Sequence, residues 1–399
     1  MQSKKGSQVL YIIILGALTA IGAMSIDMFL PGLPEVQRDF NTSASSAQLT
    51  LGLFMVGLAL GNLFVGPLSD TYGRRRPLTI AMLVFTVASL GIVFAPNIWV
   101  MIGLRFIQGL CGGAGAVLSR SIASDLYQGQ ALTQFMSMLM LVNGIAPVIA
   151  PALGGVIITV AHWQVVFMVL VVFGVCLTLG SYMQVGETLE VEQREPLALK
   201  SIFVSFGQLL AQPRFLIPIL IQGFTFVLLF SYISASSFIT QAIYSLSPLQ
   251  FSLAFAFVGI TLIVVTQLTS KLVVYISEER LLRILTLIQL VGIVGVSTIL
   301  IAHWHILLLI VGFVVLVSPV PAVATLSFTI AMGEVKRARG SASSLLGLVQ
   351  YLFGGIVTSL VGLKGETHSE PYLIIIIVTG VILVVLQLLL VRVFRSRNI

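Results

Sequence analysis

Two ionisable residues interrupt long apolar stretches of this sequence, and they are the residues best placed to do chemistry. Asp27 stands four residues before Pro31, and Arg105 stands inside a later apolar stretch. A charge at the centre of a membrane helix costs about 2.5–3.5 kcal/mol on insertion scales, so such residues are few and usually functional. We interpret Asp27 as a carboxyl group that binds and releases a proton, and Arg105 as a cation that responds to the charge state of Asp27.

A structural alternative is open for each of these two residues. Asp27 would then be a static carboxylate near the outer end of a helix, paired with solvent or with Arg105. Arg105 would be a hydrogen-bond clamp on neighbouring backbone carbonyl groups. Their positions in the apolar stretches predict a similar depth below the outer membrane surface, which permits contact between the two side chains.

The elements that must position these residues are predicted to be membrane-spanning helices. The 399 residues are 58% hydrophobic and 9% charged, whereas soluble domains are roughly 25% charged, which excludes a water-soluble enzyme. Each spanning helix needs about 20 apolar residues, so the composition leaves room for roughly twelve. We therefore predict an all-α membrane protein with twelve transmembrane helices. The predicted spans cover residues 9–30, 47–66, 77–95, 98–119, 133–157, 162–183, 214–238, 249–270, 281–301, 305–330, 341–362 and 372–393.

The distribution of charge predicts the orientation of the chain. Nearly all of the 21 Lys and Arg residues fall on the same side as both chain ends, and the opposite loops keep only Arg38 and Lys364. Because cytoplasmic loops collect basic residues, we expect a multi-pass protein of the cytoplasmic membrane with both termini in the cytoplasm. The net charge of +7 then reflects sidedness in the lipid bilayer, and no nucleic-acid partner is expected.

The sequence offers no pattern for a metal or cofactor. Cys111 and Cys176 both lie in apolar stretches, without the spacing of a disulfide framework or a zinc site. All four histidines fall near the outer surface, where they could sense pH or bind a metal, although the short loop with His303 and His305 favours simple solvation. We therefore expect no metal and no cofactor.

The longest segment between spans is predicted to link two halves of the chain. Residues 184–212 lie between spans six and seven and contain several acidic residues, namely Glu187, Glu190, Glu192 and Glu195. Loops at corresponding places on either side have similar lengths, as expected for the internal repeat of many transporters. The predicted organisation is a six-helix half at 1–183, a cytoplasmic linker at 184–212 and a second six-helix half at 213–399.

A glycine-bounded basic loop follows span two. It reads Gly66-Pro-Leu-Ser-Asp70-Thr-Tyr-Gly73-Arg74-Arg75-Arg76, and a positive-inside anchor would explain its arginines but not the spacing of its glycines and aspartate. The loop resembles the signature loop of the major facilitator superfamily. In that family the aspartate and the basic residues form an inner-side latch between the halves, which the resemblance assigns to Asp70, Arg74 and Arg75. The equivalent loop at 271–283 lacks the glycines.

Two further stretches resemble motifs of the same superfamily. Residues 104–113 around Arg105 resemble its second motif, which is linked to proton transfer, and Gln108 lies on the same helix face as Arg105. Residues 143–155 resemble the antiporter motif of its exporters. There small residues recur every four positions and two prolines bend the helix, although many helix bundles have such stripes without any transport role. The motif residues are Ala146, Pro147, Ala150, Pro151, Gly154 and Gly155.

The details of these motifs indicate a branch of the superfamily. Ala146 and Ala150 stand where the general pattern often has glycine, and this variation resembles the bicyclomycin-resistance (Bcr/CflA) branch of drug:proton antiporters. The stretches 25–34, 232–238 and 340–347 also resemble that branch. The resemblance covers nearly the whole chain and implies the major facilitator fold.

The resemblance also implies a central cavity lined by the first helix of each three-helix unit. Each candidate has an alternative, because an intramembrane Gln or Asn is at least as often a bond between helices, and Met or Tyr is often simple packing. The implied residues are Met24, Asp27, Arg105, Gln108, Gln222, Tyr232, Ser236, Ser318 and Pro319, and Asn62 and Asn143 are polar enough within their spans to join them.

The predicted function is proton-coupled efflux of small organic molecules by alternating access, performed by a monomer. A dedicated exporter of an endogenous metabolite or metallophore is the alternative, and in it Asp27 and Arg105 could engage a zwitterion. A channel or membrane enzyme is disfavoured. The sequence has no charged pore ring, no Gly-rich nucleotide loop with its Lys, and no cluster of His or carboxylates in the spans.

Overall fold

The protein is described by a computed structural model. The described backbone covers residues 2–194, 199–335 and 339–395, and it is helical with no strand within those ranges. The helices of the first part of the chain are α1 (Gln2–Asp27), α2 (Leu33–Asp39), α3 (Ala44–Tyr72), α4 (Arg75–Val93), α5 (Ile98–Leu126), α6 (Gly129–Val160) and α7 (Gln164–Gln184). They are followed by α8 (Leu199–Leu210), α9 (Pro213–Phe238), α10 (Pro248–Leu272), α11 (Glu278–Ile301), α12 (Ile306–Val317), α13 (Val320–Gly333), α14 (Arg339–Thr358) and α15 (Glu370–Arg395).

The prediction of an all-α protein with twelve spans is confirmed. Among the described residues, 11 helical segments are long and apolar enough to cross a membrane. Helix α6 supplies the remaining span, since its part at Ile145–Val160 is also apolar and the whole helix is 32 residues long.

Span one is longer than predicted and is broken. Helix α1 ends at Asp27, a 3-10 turn covers Leu30–Gly32, and α2 continues to Asp39. Pro31 explains the break, because proline lacks the backbone N–H that a continuing helix needs. The expected end at residue 30 was therefore wrong: the apolar segment runs from Tyr11 to Asp39, so Asp27 lies near the middle of these 29 residues and not near their outer end.

Span ten is also broken, although a continuous helix over 305–330 was predicted. Helix α12 ends at Val317 and α13 begins at Val320, with Ser318 and Pro319 between them. The hydroxyl of Ser318 bonds to the carbonyl of Val314 and lies 3.1 Å from the hydroxyl of Thr261. These hydrogen bonds satisfy polar groups at the break, where proline lacks the backbone N–H that would donate the regular helical hydrogen bond.

The described parts of residues 1–42 and 49–199 form one compact unit, and the described parts of residues 43–48 and 200–399 form another. In the first unit α1 packs on α5 and α6, and α4 packs on α5 and α7. In the second unit α9 packs on α13, α14 and α15, and α11 packs on α12. The segment predicted only as a linker contains a helix of its own, α8.

Candidate functional site

Arg105 is buried in a cage of aromatic rings in the first unit. Its helix, α5, begins at a capping residue, Asn97, whose side chain accepts a bond from the N–H of Val100 at 3.0 Å. The guanidinium carbon lies 4.2 Å from the ring centroid of Phe54, 5.1 Å from that of Phe29 and 5.5 Å from that of Phe167. Ring faces attract a desolvated cation, so the cage stabilises a charge that has no access to water. 

Hydrogen bonds fix the guanidinium within the cage. Arg105 Nη1 donates to the side-chain oxygen of Gln108 at 2.7 Å and to the backbone carbonyl of Ser25 at 3.1 Å, and Nε donates to the carbonyl of Thr50 at 3.4 Å. Gln108 in turn donates to the hydroxyl of Ser89 at 2.7 Å. Gln108, predicted to line a cavity, is fully buried and positions Arg105. Arg105 Nη2 is buried without a hydrogen-bond partner among the described residues.

Asp27 is buried beside this network but does not pair with Arg105. Its residue exposure is 5%, and among the described residues no Lys, Arg or His nitrogen lies within 4.0 Å of its carboxylate. The contact between Asp27 and Arg105 that their positions permitted is therefore not an ion pair here. The link is indirect, because Arg105 binds the carbonyl of Ser25, two residues before Asp27 in α1.

The antiporter motif packs directly on the break of span one. A Cβ added to Gly154 would collide with the backbone carbonyl of Met28, the residue that follows Asp27. Only glycine permits this approach. Ala150 is fully buried and Ala146 nearly so, and Pro147 and Pro151 lie within α6 as predicted, with Gly155 buried next to the contact. The sequence predicted a small-residue face but not the partner that it contacts.

The signature loop forms a charge cluster around Arg74. Its Nη1 donates to Asp70 at 2.5 Å and to the hydroxyl of Ser69 at 2.6 Å, and its Nε donates to Asp125 at 3.0 Å. Partial burial acts to lower the pKa of Arg74, but the bonds to Asp125 and Asp70 outweigh it and raise that pKa. The resemblance predicted Asp70 and Arg74. Asp125 was missed, because only the packing of α5 brings it to this loop.

Glu187, from the predicted linker, completes the loop. Its carboxylate accepts bonds from the backbone N–H groups of Arg74 at 2.8 Å, Thr188 and Leu189 at 3.1 Å, and Arg75 at 3.4 Å. Partial burial acts to raise the pKa of Glu187, but the backbone donors, Arg74 first, bring it below its usual value. The side chain fits because Gly73 has a φ of +88° and no Cβ, which would collide with the carboxylate.

Arg75 and Gly66 have different roles in this loop. Arg75 donates to the carbonyl of Tyr182 at 2.6 Å and its guanidinium carbon lies 5.1 Å from the centroid of that ring. A Cβ on Gly66 would make only an ordinary contact with Val117, at 3.8 Å. The partners named here for the loop all belong to the first unit, and its role as a latch between halves stays a prediction.

The remaining candidates of the first unit are Met24, Asn62 and Asn143. Met24 and Asn62 are half-buried, and the side-chain oxygen of Asn62 has no hydrogen-bond partner among the described residues. The side chain of Asn143 lies outside the described residues.

The candidates of the second unit are buried on α9 and at the break after α12. Tyr232 packs against the rings of Phe255 and Phe313, at centroid distances of 5.5 and 4.9 Å. Gln222 donates to the carbonyl of Leu346 at 3.5 Å, and its side-chain oxygen is buried without a partner in the described chain. The remaining three candidates, which are also buried, are Ser236, Ser318 and Pro319. The hydroxyl of Ser236 donates to a backbone carbonyl of the preceding helical turn.

A clasp between α2 and the residues just before α7 was not predicted. His162 Nδ1 lies 2.9 Å from a carboxylate oxygen of Glu35, and Trp163 donates to Asp39 at 2.8 Å. The hydrogen bond and charge of Glu35 raise the pKa of His162. Trp163 also contacts the ring of Phe167, at 5.9 Å between centroids, and Phe167 belongs to the cage of Arg105. The clasp therefore joins α2 to the elements that hold Arg105.

Comparisons with known proteins identify relatives along most of the chain. The family model of the Major Facilitator Superfamily matches residues 15–359. An MFS-type transporter of Bacillus subtilis (strain 168), YdgK, is 37% identical over 371 residues, which is 92% of each chain. A bicyclomycin resistance protein homolog of Haemophilus influenzae is 30% identical over 376 residues, 93% of each chain. Multidrug resistance protein D of Escherichia coli (strain K12) is 28% identical over 204 residues, 51% of this chain and 52% of that protein.

Solved structures support the same fold. The nucleoside transporter NupG aligns with a TM-score of 0.78 at 12% identity, over 97% of this chain and 100% of that one. A D-xylose-proton symporter aligns with a TM-score of 0.72 at 16% identity, over 94% and 97% of the two chains. Since the family model covers most of the sequence and two relatives are at least 30% identical over more than nine tenths of it, this chain belongs to the Major Facilitator Superfamily of membrane transporters.

Proposed function

We propose that this protein exports small organic molecules across the cytoplasmic membrane in exchange for protons. The observation that carries the proposal is Asp27, a buried carboxylate near the middle of span one with no cation beside it among the described residues. An ionised carboxylate is costly to bury without a partner, so proton uptake relieves that cost. The bicyclomycin-resistance relative and the multidrug-resistance relatives support efflux as the direction of transport.

In this mechanism the halves at 1–183 and 213–399 alternate between two conformations, joined by the linker at 184–212. The chain works as a monomer with both termini in the cytoplasm. Asp27 takes a proton from the outer side when substrate leaves, and releases it to the cytoplasm. Burial favours the neutral acid whereas the fixed charge of Arg105 favours the carboxylate, so a change in water access shifts the balance. Two contacts hold the backbone on either side of Asp27. Arg105 donates to the carbonyl of Ser25, and Gly154 packs against the carbonyl of Met28.

Replacement of the carboxyl group tests the proposal. We expect Asp27→Asn to abolish proton-driven efflux while the protein still inserts, because the amide keeps the shape but cannot carry a proton. Everted vesicles that report proton movement on addition of candidate compounds measure coupling and specificity together. Glu192→Gln, which removes an exposed linker carboxylate, is the matched control. Normal gradient-driven transport by Asp27→Asn would sink the proposal.

A dedicated exporter of an endogenous metabolite or metallophore is the second candidate. It is favoured by the same geometry, because Asp27 and Arg105 are both buried and neither has an ionic partner among the described residues. A zwitterionic substrate would offer opposite charges to the two groups. Comparing the metabolites exported by a deletion strain and its parent, by mass spectrometry, distinguishes this candidate from a broad drug exporter.

A further inference from the structure

Helix α8, in the segment between spans six and seven, has an apolar face that the protein leaves exposed. Phe203, Val204 and Leu210 are 54%, 52% and 40% exposed, whereas Phe206 and Leu209 are buried. With 3.6 residues per turn, Phe203 and Leu210 lie on nearly the same line along the helix. The helix therefore buries one apolar stripe against the protein and turns a second one outward.

A polar residue of α8, Gln208, lies on another side of the helix. Gln208 is exposed and lies roughly 150° around the helix from the line of Phe203 and Leu210. The sequence of α8, LKSIFVSFGQLL, contains Lys200 and no acidic residue, whereas the segment before it is rich in glutamate. A helix with an apolar stripe, a narrow polar side and a basic residue is typical of helices that lie in a membrane surface.

The position of α8 in the chain places it at the end of a membrane span. Ala211 and Gln212 donate to the carbonyls of Gly207 and Leu209, at 3.1 and 3.0 Å, so a tight turn leads from α8 into α9 at Pro213. The apolar segment that starts there has 31 residues, more than the roughly 20 needed to cross a bilayer, so its first turn extends to the level of the lipid headgroups.

A charged pair marks the same level. Arg214, in the first turn of α9, lies 3.8 Å from Glu334, just after the end of α13. Both charges sit where spanning helices end, and the exposed face of α8 begins only a few residues away along the chain. The lipid bilayer is an apolar surrounding at this level, and it is continuous with the surface of the spans.

We propose that α8 lies in the cytoplasmic surface of the membrane, with Phe203 and Leu210 inserted among the lipid chains. Such a face enters the headgroup and acyl boundary by about 5–10 Å, and the basic residue Lys200 favours anionic lipids. The linker is then anchored at both ends, by Glu187 to the signature loop and by α8 to the bilayer. The inference depends on the predicted orientation and not on proton-coupled efflux.

Spin labels on two sides of α8 test the proposal. The full chain carries Cys176→Ser, which removes the exposed cysteine and leaves the buried Cys111, and a single label at Phe203→Cys or Leu210→Cys. Gln208→Cys is the matched control on the polar side of the same helix. In vesicles of phosphatidylethanolamine and phosphatidylglycerol, collisions of each label with oxygen, which concentrates in lipid, are compared with collisions with a water-soluble nickel chelate.

We expect the labels at 203 and 210 to collide several-fold more with oxygen than with the chelate, relative to the label at 208. If the chelate reaches the labels at 203 and 210 as often as it reaches the label at 208, the face lies in water and the proposal is overturned. Shielding of both sites from both reagents would overturn it too, because another protein segment or a second copy would then cover the face. If one of these two variants fails to insert, the label at the other position gives the same comparison with the label at 208. A protein that shows no proton coupling still gives this readout.

Discussion

The properties of Arg105 depend on the shape of its side chain as well as on its charge. The planar guanidinium packs among three phenylalanine rings and donates to Gln108, Ser25 and Thr50 at the same time. A lysine ammonium is a compact, strongly hydrated charge that cannot reproduce this arrangement. The alternative of a carbonyl clamp is therefore seen in the structure, since two of the three acceptors are backbone carbonyls.

We predict that Arg105→Lys lowers both the stability and the coupling. Hydrogen bonds to charged groups contribute about 1.5–3 kcal/mol each, so the loss of one or two should cost on the order of 2–4 kcal/mol. Thermal unfolding in detergent measures the stability, and proton movement in everted vesicles measures coupling. Arg38→Lys, at an exposed position, is the control. If Arg105→Lys unfolds at the same temperature as the wild-type protein, the aromatic cage and its hydrogen bonds do not stabilise the fold.

Glu187 leads to a pH-dependent prediction. The pKa of its carboxyl group is lower in the folded protein than the usual value. The ionised carboxylate therefore holds the linker on Arg74 and Arg75 at any pH above the ordinary carboxyl pKa of about 4.3. This contribution to stability is lost as the pH falls through the lower pKa of the folded state. A spin label at Glu190→Cys in the Cys176→Ser background should therefore stay immobile from pH 7 to pH 5 and gain mobility only in stronger acid.

The variant Glu187→Gln should make the same label more mobile at neutral pH and remove the acid transition. Because 31% of the Glu187 side chain is exposed, solvent screening limits the effect to roughly 1 kcal/mol or less. Glu192→Gln is the control for a linker carboxylate without these contacts. An acid transition of unchanged midpoint in Glu187→Gln would show that another group docks the linker.

Among the elements, hydropathy predicted most of the helices but not their interruptions. Spanning helices need long apolar stretches, so their number and order follow from composition along the chain. The continuation of span one through α2 was missed because Glu35 and Asp39 look like loop residues until His162 and Trp163 bind them. Helix α8 was missed because a half-exposed apolar pattern gives no continuous stretch.

The candidate site was predictable only in part, for a similar reason. Asp27 and Arg105 stand out in the sequence because charge is rare in spans. The rings around Arg105 come from separate helices, and Glu187 and Asp125 reach Arg74 only after the helices have packed. Such contacts are tertiary, and spacing along one element cannot indicate them.

Helix α6 leads to a prediction about the antiporter motif. Gly154 touches the carbonyl of Met28 so closely that Gly154→Ala must push α6 away from the break after Asp27. Overpacking of this kind costs about 1–3 kcal/mol, and we expect reduced thermal stability and uncoupled proton leak. Gly103→Ala, where a Cβ would meet nothing within 4 Å, is the control. If Gly154→Ala has normal stability and no proton leak, the contact between α6 and the break of span one is not needed for coupling.

At the scale of the whole molecule, the two units differ in chemistry although their helices follow the same order. Asn97 caps α5 and His305 caps α12, and the residues at the same distance from these caps are Arg105 and Phe313. In the second unit this position is therefore aromatic, with Tyr232 and Tyr372 beside Phe313. The buried polar groups of that unit are uncharged among the described residues. We infer a division of labour in which the first unit carries coupling and the second contributes to substrate binding.

Gln222 tests this division. Its buried side-chain oxygen has no partner among the described residues, and an unpaired buried acceptor is costly. The bond that Gln222→Leu removes, to the carbonyl of Leu346, is long at 3.5 Å, so we expect little change in thermal stability. If substrate donates to that oxygen, the same change should raise the KM for efflux several-fold. The number of protons exchanged per substrate should stay constant, because Asp27 and Arg105 are untouched. Vesicle transport over a range of substrate concentrations, with simultaneous proton measurement, gives both quantities. A changed proton number with an unchanged KM would mean that coupling extends into the second unit.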